Sequence, residues 1–215
     1  MPVNLESFIS LQHDLGAQNI VLVAVSKFKS LEDIMTLYDL GQRDFGENFV
    51  QELLIKKELL PKDIRWHYIG HLQTNKVKYI VPFIHLIHGV DSLKLLSEIN
   101  KQALKAGLVV NCLLQVHIAE EETKFGFNEE ELLSLNKEDY SNVQISGLMG
   151  MASFSDDANK VMNEFKTLKS LYEKQKTQYK FIYLSMGMSG DYKIAIQQGS
   201  NMVRIGSIIF GERNK

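Results

Sequence analysis

Eight short β-rich runs, each followed by a turn or a helix-like stretch, leave this 215-residue chain few architectures to choose from. The runs are Ile20–Val25, Arg43–Gly46, Arg65–Gly70, Leu86–Val90, Val109–His117, Gln144–Met149, Phe181–Leu184 and Met202–Ile205. Several lack the apolar/polar alternation of a sheet with one wet face. Near-continuous Val, Ile and Leu runs belong to parallel strands covered by helices on both sides. An open doubly wound sheet would read much the same. The count of eight, with the residues that follow the last two runs, predicts a closed α/β architecture, a single (β/α)8 TIM barrel over residues 1–215.

No linker rich in Pro, Gly or Ser interrupts the pattern, and 45% hydrophobic residues suffice for one large core. Helix starts fit the same parse. Ser30 with Asp33 has capping-box spacing, Asn128 precedes Glu129, Glu130 and Glu131, and Asp156 and Asp157 open the amphipathic run Val161, Phe165, Leu168, Leu171, Tyr172. Ahead of Ile20, Leu5, Phe8, Ile9 and Leu15 are the expected apolar stripe of a first helix.

A net charge of −2, with both signs interleaved, lacks the electrostatic footprint of a nucleic-acid binder. Lys166, Lys169, Lys174, Lys176 and Lys180 are interspersed with Glu164 and Glu173 and read as a solvated helix face. The single cysteine, Cys112, sits in an apolar run and can form neither an intrachain disulfide nor a thiolate metal site. There is no basic segment followed by an apolar stretch at the start, and no apolar run of membrane-spanning length. The expectation is a cytoplasmic protein that binds neither membrane nor nucleic acid.

Lys27 closes the apolar run Ile20–Ser26. A lysine amine normally titrates near ~10.4 and is a poor nucleophile at neutral pH; desolvation at the lip of a core readies it to form an imine with a carbonyl compound. A snorkelling lysine at a strand end is the alternative.

The last two units carry a second constellation, Leu184–Asp191 and Val203–Ser207. The first bends at glycines and enters a helix expected over Asp191–Gln198, so that Ser189 serves as its N-cap while the amides of Ser189 and Gly190 point at a ligand. Gly206 and Ser207 add another amide and a hydroxyl, and barrels often bind phosphate in the loops after strands 7 and 8. Strand alternation places Arg204 and Gly206 on the inward face, opposite Val203 and Ile205. A guanidinium there needs an acceptor, for which a ring nitrogen, a ligand carboxylate or an internal salt bridge would serve.

The segments VAVSK (Val23–Lys27), FGENFVQE (Phe45–Glu52), WHYIGHLQTNK (Trp66–Lys76), GLMGM (Gly147–Met151), LSMGMS (Leu184–Ser189) and VRIGSIIFGER (Val203–Arg213) together resemble the pyridoxal 5′-phosphate (PLP) homeostasis proteins of the YggS type. The resemblance implies a barrel like the N-terminal domain of alanine racemase, with PLP held as an internal aldimine on Lys27. Ser189, Gly190, Gly206 and Ser207 would surround the phosphate, and Arg204 would face the pyridine nitrogen. Arginine there leaves the ring unprotonated and a weak electron sink. Asn48 would line the pocket near the ring substituents, or serve as a turn or N-cap residue. His71 would point to the mouth, for acid/base work or to hydrogen-bond a neighbour. Met149, Met151, Met186 and Met188 would flank the pocket.

The pairs His67/His71 and His85/His88 have no carboxylate or thiol at metal-site spacing, and no metal is expected. Relatives carry a small residue and a proline after the lysine; here Phe28-Lys29-Ser30 alters the entrance, and the first helix is shorter. Alanine racemases pair the lysine with a tyrosine brought by a second, β-rich domain, for which no length is left before Lys215. The expectation is a monomeric protein without a catalytic residue that buffers or carries PLP within the cell and hands it to PLP-requiring apo-enzymes or amino-acid metabolites. The alternatives are a PLP-dependent amino-acid racemase-like enzyme and a phosphosugar-binding barrel enzyme.

Overall fold

A computed structural model describes residues 3–119 and 125–211. Eight parallel strands close in sequential order: β1 (Val21–Val25), β2 (Asp44–Glu47), β3 (Arg65–Tyr68), β4 (Leu86–Val90), β5 (Val110–Gln115), β6 (Val143–Met149), β7 (Tyr183–Met188) and β8 (Met202–Ile205). β8 returns to pair with β1, placing Arg204 beside Val23. The architecture is the (β/α)8 barrel that the alternating runs predict. Among the described residues no helix is long and apolar enough to cross a membrane.

Helices α1 (Leu5–Gly16), α2 (Leu31–Asp39), α3 (Val50–Leu59), α4 (Val77–Ile80), α5 (Leu93–Ala106), α6 (Glu129–Ser134), α7 (Ala158–Tyr179), α8 (Tyr192–Gln197) and α9 (Ser207–Phe210) accompany the sheet. The caps of α2 and α6 form as their sequences require: Ser30 Oγ accepts from the Asp33 amide, and Asn128 and Glu131 form a reciprocal capping box. Asp157 caps α7. Such caps contribute roughly 1 kcal/mol each. Along α7, Val161, Phe165, Leu168, Leu171 and Tyr172 are all buried.

The stripe of α1 is corrected. Phe8, Leu11 and Leu15 face the barrel, while Leu5 and Ile9 are 43% and 52% exposed. The Asn4 N–H donates to the Ile209 carbonyl (2.8 Å), which fixes the rotation of α1 against α9.

β7 departs most from expectation. It starts at Tyr183 and runs on to Met188, so Ser185 and Met186 are sheet residues rather than loop. A register shift between Ser185 and Met188 admits the extra length. Gly187 makes this possible: it takes φ +98°, and a Cβ there would lie 2.7 Å from the Ala195 Cβ.

The apolar core has two parts. The larger lies between sheet and helices; the smaller is a plug inside the barrel built from Val23, Leu86, Leu113, Met149 and Met202. Polar side chains share the interior with that plug: His67, His88, Ser185 and Arg204 are all at most 4% exposed.

Candidate functional site

The C-terminal ends of the strands open into a cavity of about 390 Å3, within the usual range for small-molecule sites. Lys27, Asn48, Ser189, Gly190, Arg204, Gly206 and Ser207 all line it. Seven of the eight residues singled out in the sequence therefore meet in one place. His71 does not line this cavity; it borders neighbouring grooves, with Nδ1 2.8 Å from Asp91 Oδ2 and its ring stacked on Phe125. Of the four methionines, Met151 and Met188 line the cavity, whereas Met149 and Met186 are buried in the core.

Lys27 is half-buried and sits two residues beyond the end of β1, after Ser26. Both of its neighbours are tethered to one buried ionic cluster. Lys56 Nζ donates to the Ser26 carbonyl (2.8 Å), Glu47 Oε1 (2.8 Å) and Glu52 Oε1 (2.6 Å), using all three ammonium protons. Glu52 in turn accepts the Phe28 N–H (2.6 Å), and Ser26 Oγ donates to Glu47 (2.6 Å). Burial pushes the Glu47 carboxyl above its ordinary value, against the opposing pull of Lys56 and Ser26.

Phe28 sits at φ +62°, costly for a bulky residue. The Glu52 bond and a ring contact with Phe49 (4.9 Å) hold it there. Lys29, which also lines the cavity, donates to the Phe210 carbonyl (3.0 Å) and so ties the β1 loop to α9. The Phe28-Lys29 departure thus gives the entrance an exposed aromatic and an anchored cation.

The loop after β7 is built differently from expectation. Ser189 is not the N-cap of α8; that position belongs to Asp191, and α8 begins at Tyr192. Asp191 Oδ1 accepts the Met188 N–H (2.6 Å), and the Asp191 N–H donates back to the Met188 carbonyl (3.1 Å). This closed turn presents Ser189 and Gly190 to the cavity. Ser189 Oγ accepts the Gly206 N–H (3.2 Å), stitching the β7 and β8 loops together and leaving the hydroxyl proton for a ligand.

Arg204 is inward and buried, as alternation requires. Its acceptors are the Ser185 carbonyl (2.9 Å), Ser185 Oγ (2.6 Å) and the Gly150 carbonyl (3.2 Å) rather than a carboxylate. Burial pushes its pKa down to about 10, so it is cationic at neutral pH. A guanidinium has five N–H donors, which leaves some for a ligand acceptor in the cavity.

Three observations fit an anionic, ring-bearing group. The positions where a Cβ of Gly190 would stand have nothing within 4 Å. Asn48 Oδ1 is buried without a hydrogen-bond partner among the described residues. Lys27, Lys29 and Arg204 supply positive charge around the space.

Sequence spacing missed two groups. The Glu47–Glu52–Lys56 cluster lies within and just beyond one motif, and its i,i+4 pair on α3 was the available clue. At the other end of the barrel, Asp44, His67 and His85 bring possible ligand atoms within 4.8 Å of one another. The carboxylate that linear spacing lacked comes from β2, but Arg65 already engages it through Nε (2.8 Å) and Nη2 (2.5 Å).

The closed barrel, with a lysine after β1 and linked Gly/Ser loops after β7 and β8, defines the alanine racemase N-terminal-domain class. The family model "Alanine racemase, N-terminal domain" matches residues 11–214. Within that class the chain belongs to the family of pyridoxal phosphate homeostasis proteins. The protein of that name from Schizosaccharomyces pombe is 40% identical over 209 residues, covering 94% of this chain and 88% of the relative. PipY of Synechococcus elongatus, solved with PLP bound, superposes with TM-score 0.86 at 32% identity, covering 96% of this chain and 99% of PipY. Alanine racemase of Clostridium difficile shares the fold alone: TM-score 0.77 at 16% identity, covering all of this chain but 60% of the racemase. Glu212 and Arg213, which end the last sequence motif, lie outside the described residues.

Proposed function

We infer that this chain binds pyridoxal 5′-phosphate and serves PLP homeostasis, holding the cofactor on Lys27 and releasing it to acceptors. The observation that carries the reading is the convergence of Lys27, Arg204 and the two Gly/Ser loops on one cavity. The names of the relatives and the PLP in PipY support the same cofactor. When bound, PLP supplies an aldehyde carbon open to exchange between amines and a ring that can take up electron density. Lys27 would hold that carbon through Nζ, in place of the aldehyde oxygen, which leaves as water. Ser189, Gly190, Gly206 and Ser207 would bind the phosphate, Arg204 would donate to the ring nitrogen, and Asn48 would engage the ring substituents.

The role is custody rather than turnover. Arg204 leaves the ring a poor electron sink, and the carboxyl among the described residues lining the cavity, Asp191, is engaged by the Met188 N–H in its own turn. A two-base racemisation needs a second proton carrier opposite the lysine. The chain works on its own, in the cytoplasm, with apo-enzymes or amine metabolites as acceptors.

Purified protein incubated with PLP is expected to turn yellow, and borohydride is expected to fix the cofactor on Lys27, as read by peptide mapping. An adduct on another lysine, or rapid interconversion of L- and D-alanine, sinks the reading. Gly190→Ala separates binding from folding. Open space at that Cβ predicts a stability change within about 0.5 kcal/mol. The added methyl enters the phosphate space, and PLP affinity is expected to fall ~10-fold or more, measured by titration of the visible band.

A further inference from the structure

A file of side chains runs from Arg204 at the cavity floor to the opposite mouth of the barrel. Arg204 Nη1 lies 2.6 Å from Ser185 Oγ, and Ser185 Oγ lies 3.2 Å from His88 Nδ1 across the interior. His88 Nε2 is 2.9 Å from His67 Nδ1, and His67 Nε2 is 2.9 Å from Asp44 Oδ1. Five residues from β2, β3, β4, β7 and β8 thus form one continuous file. Its links lie among groups almost wholly withdrawn from water: His67 is 1% exposed, His88 and Ser185 0%.

The donor inventory, closed by the carboxylate at the far end, sets the direction of the file. A guanidinium only donates, so Ser185 Oγ accepts from Arg204, and its own proton is available to His88 Nδ1. Burial holds His88 well below the ordinary histidine range, with His67 and Arg204 pushing the same way, so the ring is neutral and carries a single proton, which on Nε2 faces His67. That proton goes to His67 Nδ1, and His67 donates Nε2–H to Asp44. The carboxylate at the far end decides the direction. Burial alone would raise the Asp44 carboxyl, but hydrogen bonds from Arg65 and His67 hold it well below its ordinary value, and an ionised carboxylate only accepts. A cation on His67 Nε2 would displace the proton required there and reverse both imidazoles. The file and a metal at Asp44, His67 and His85 therefore exclude one another.

We propose that Asp44, His67, His88 and Ser185 are positioning residues, a one-way hydrogen-bond train that holds the Arg204 guanidinium in a single orientation toward the ligand cavity. Arg204 is too long to be fixed by its own rotamers, and a buried all-donor group stays put only where each acceptor is itself oriented. The part of the proposal that concerns a ligand rests on the PLP reading above; the train itself does not.

Nitrogen-15 NMR of the labelled protein at neutral pH tests the polarity without any variant. Both His67 and His88 are expected to carry a proton on Nε2 and none on Nδ1. A proton on Nδ1 of either ring, including a doubly protonated His67, overturns the train. Ser185→Ala removes the link next to Arg204, and exchange of the Arg204 guanidinium protons with water is expected to speed up ~10-fold or more. Ser185→Thr, which keeps the hydroxyl, is expected to restore slow exchange. Unchanged exchange in folded Ser185→Ala overturns the positioning role.

With PLP added, Ser185→Ala is expected to shift the absorption maximum of the bound cofactor, because the donor at the ring nitrogen tunes the ring. An unshifted band in a variant that still binds PLP overturns the link to the ligand. If wild-type protein binds no PLP, it is the functional reading that fails, and the tautomers and exchange rates still decide the train.

Discussion

Lys27→Ala is expected to abolish the visible band of the PLP-loaded protein and the borohydride adduct together, while the barrel stays folded. The side chain is half-buried at a strand end, so truncation should change stability by about 1 kcal/mol or less. The effect on cofactor retention is far larger. Well-oriented intramolecular reactions reach effective molarities of roughly 10⁵–10⁸ M, and a lysine held at the lip of the cavity gains part of that advantage. On the proposed reading, what remains in the variant is a noncovalent grip by the Ser189–Gly190 and Gly206–Ser207 loops and Arg204. Retention of PLP through gel filtration is expected to fall at least ~100-fold, more than the loss of a single hydrogen bond would produce. A yellow, reducible Lys27→Ala protein would place the attachment elsewhere.

Lys56→Met should cause the largest loss of stability, about 3–5 kcal/mol in denaturant unfolding, because it leaves Glu47 buried without its cation. Methionine keeps most of the volume, so the loss reports charge rather than a cavity. pH dependence separates the two. The folded-state value of Glu47 is raised above 4.5, so the folded form binds its proton more tightly than the unfolded chain. Stability from this group therefore falls as pH rises through the window between the unfolded value and the raised one. Removing Lys56 raises the folded value further and widens that window. The deficit of Lys56→Met is thus expected to be small at acid pH and to grow toward neutrality. A deficit independent of pH would show that packing, not charge, is what Lys56 supplies. Ser26 and Phe28 lose their common anchor at the same time, so PLP attachment at Lys27 should weaken in parallel.

The strands were legible because parallel strands buried on both faces leave unbroken apolar runs, and β4 and β8 match those runs residue for residue. The cavity was legible because strand parity turns Arg204 and Gly206 inward and because glycine and serine mark the loops. β7 was misread at both ends: Phe181 and Ile182 are apolar yet precede the strand, and Ser185-Met186-Gly187-Met188 has the composition of a turn, which only the register shift shows continuing in the sheet. Ser189 was taken for a cap because serine caps well, yet Asp191 occupies that place and closes the turn on itself. His71 was assigned to the mouth, but Asp91 and Phe125 turn it to a neighbouring groove. The meeting of Asp44, His67 and His88 depends on which residues of three strands lie level with one another. Spacing along one strand carries no such information.

The pairing of β1 with β8 has a thermodynamic consequence. Lys27 and the Gly206–Ser207 loop come from the two strands that meet at the seam, 23 and 204 level with each other though the rest of the chain lies between them. Any ligand that spans both sides is a clasp across that seam. By linkage, a ligand present at 100 times its dissociation constant adds about 2.7 kcal/mol to the closed form. Loaded and empty chains should therefore differ in melting temperature and in hydrogen exchange along β1 and β8 more than elsewhere. Giving up the cofactor and loosening the seam are two sides of one equilibrium.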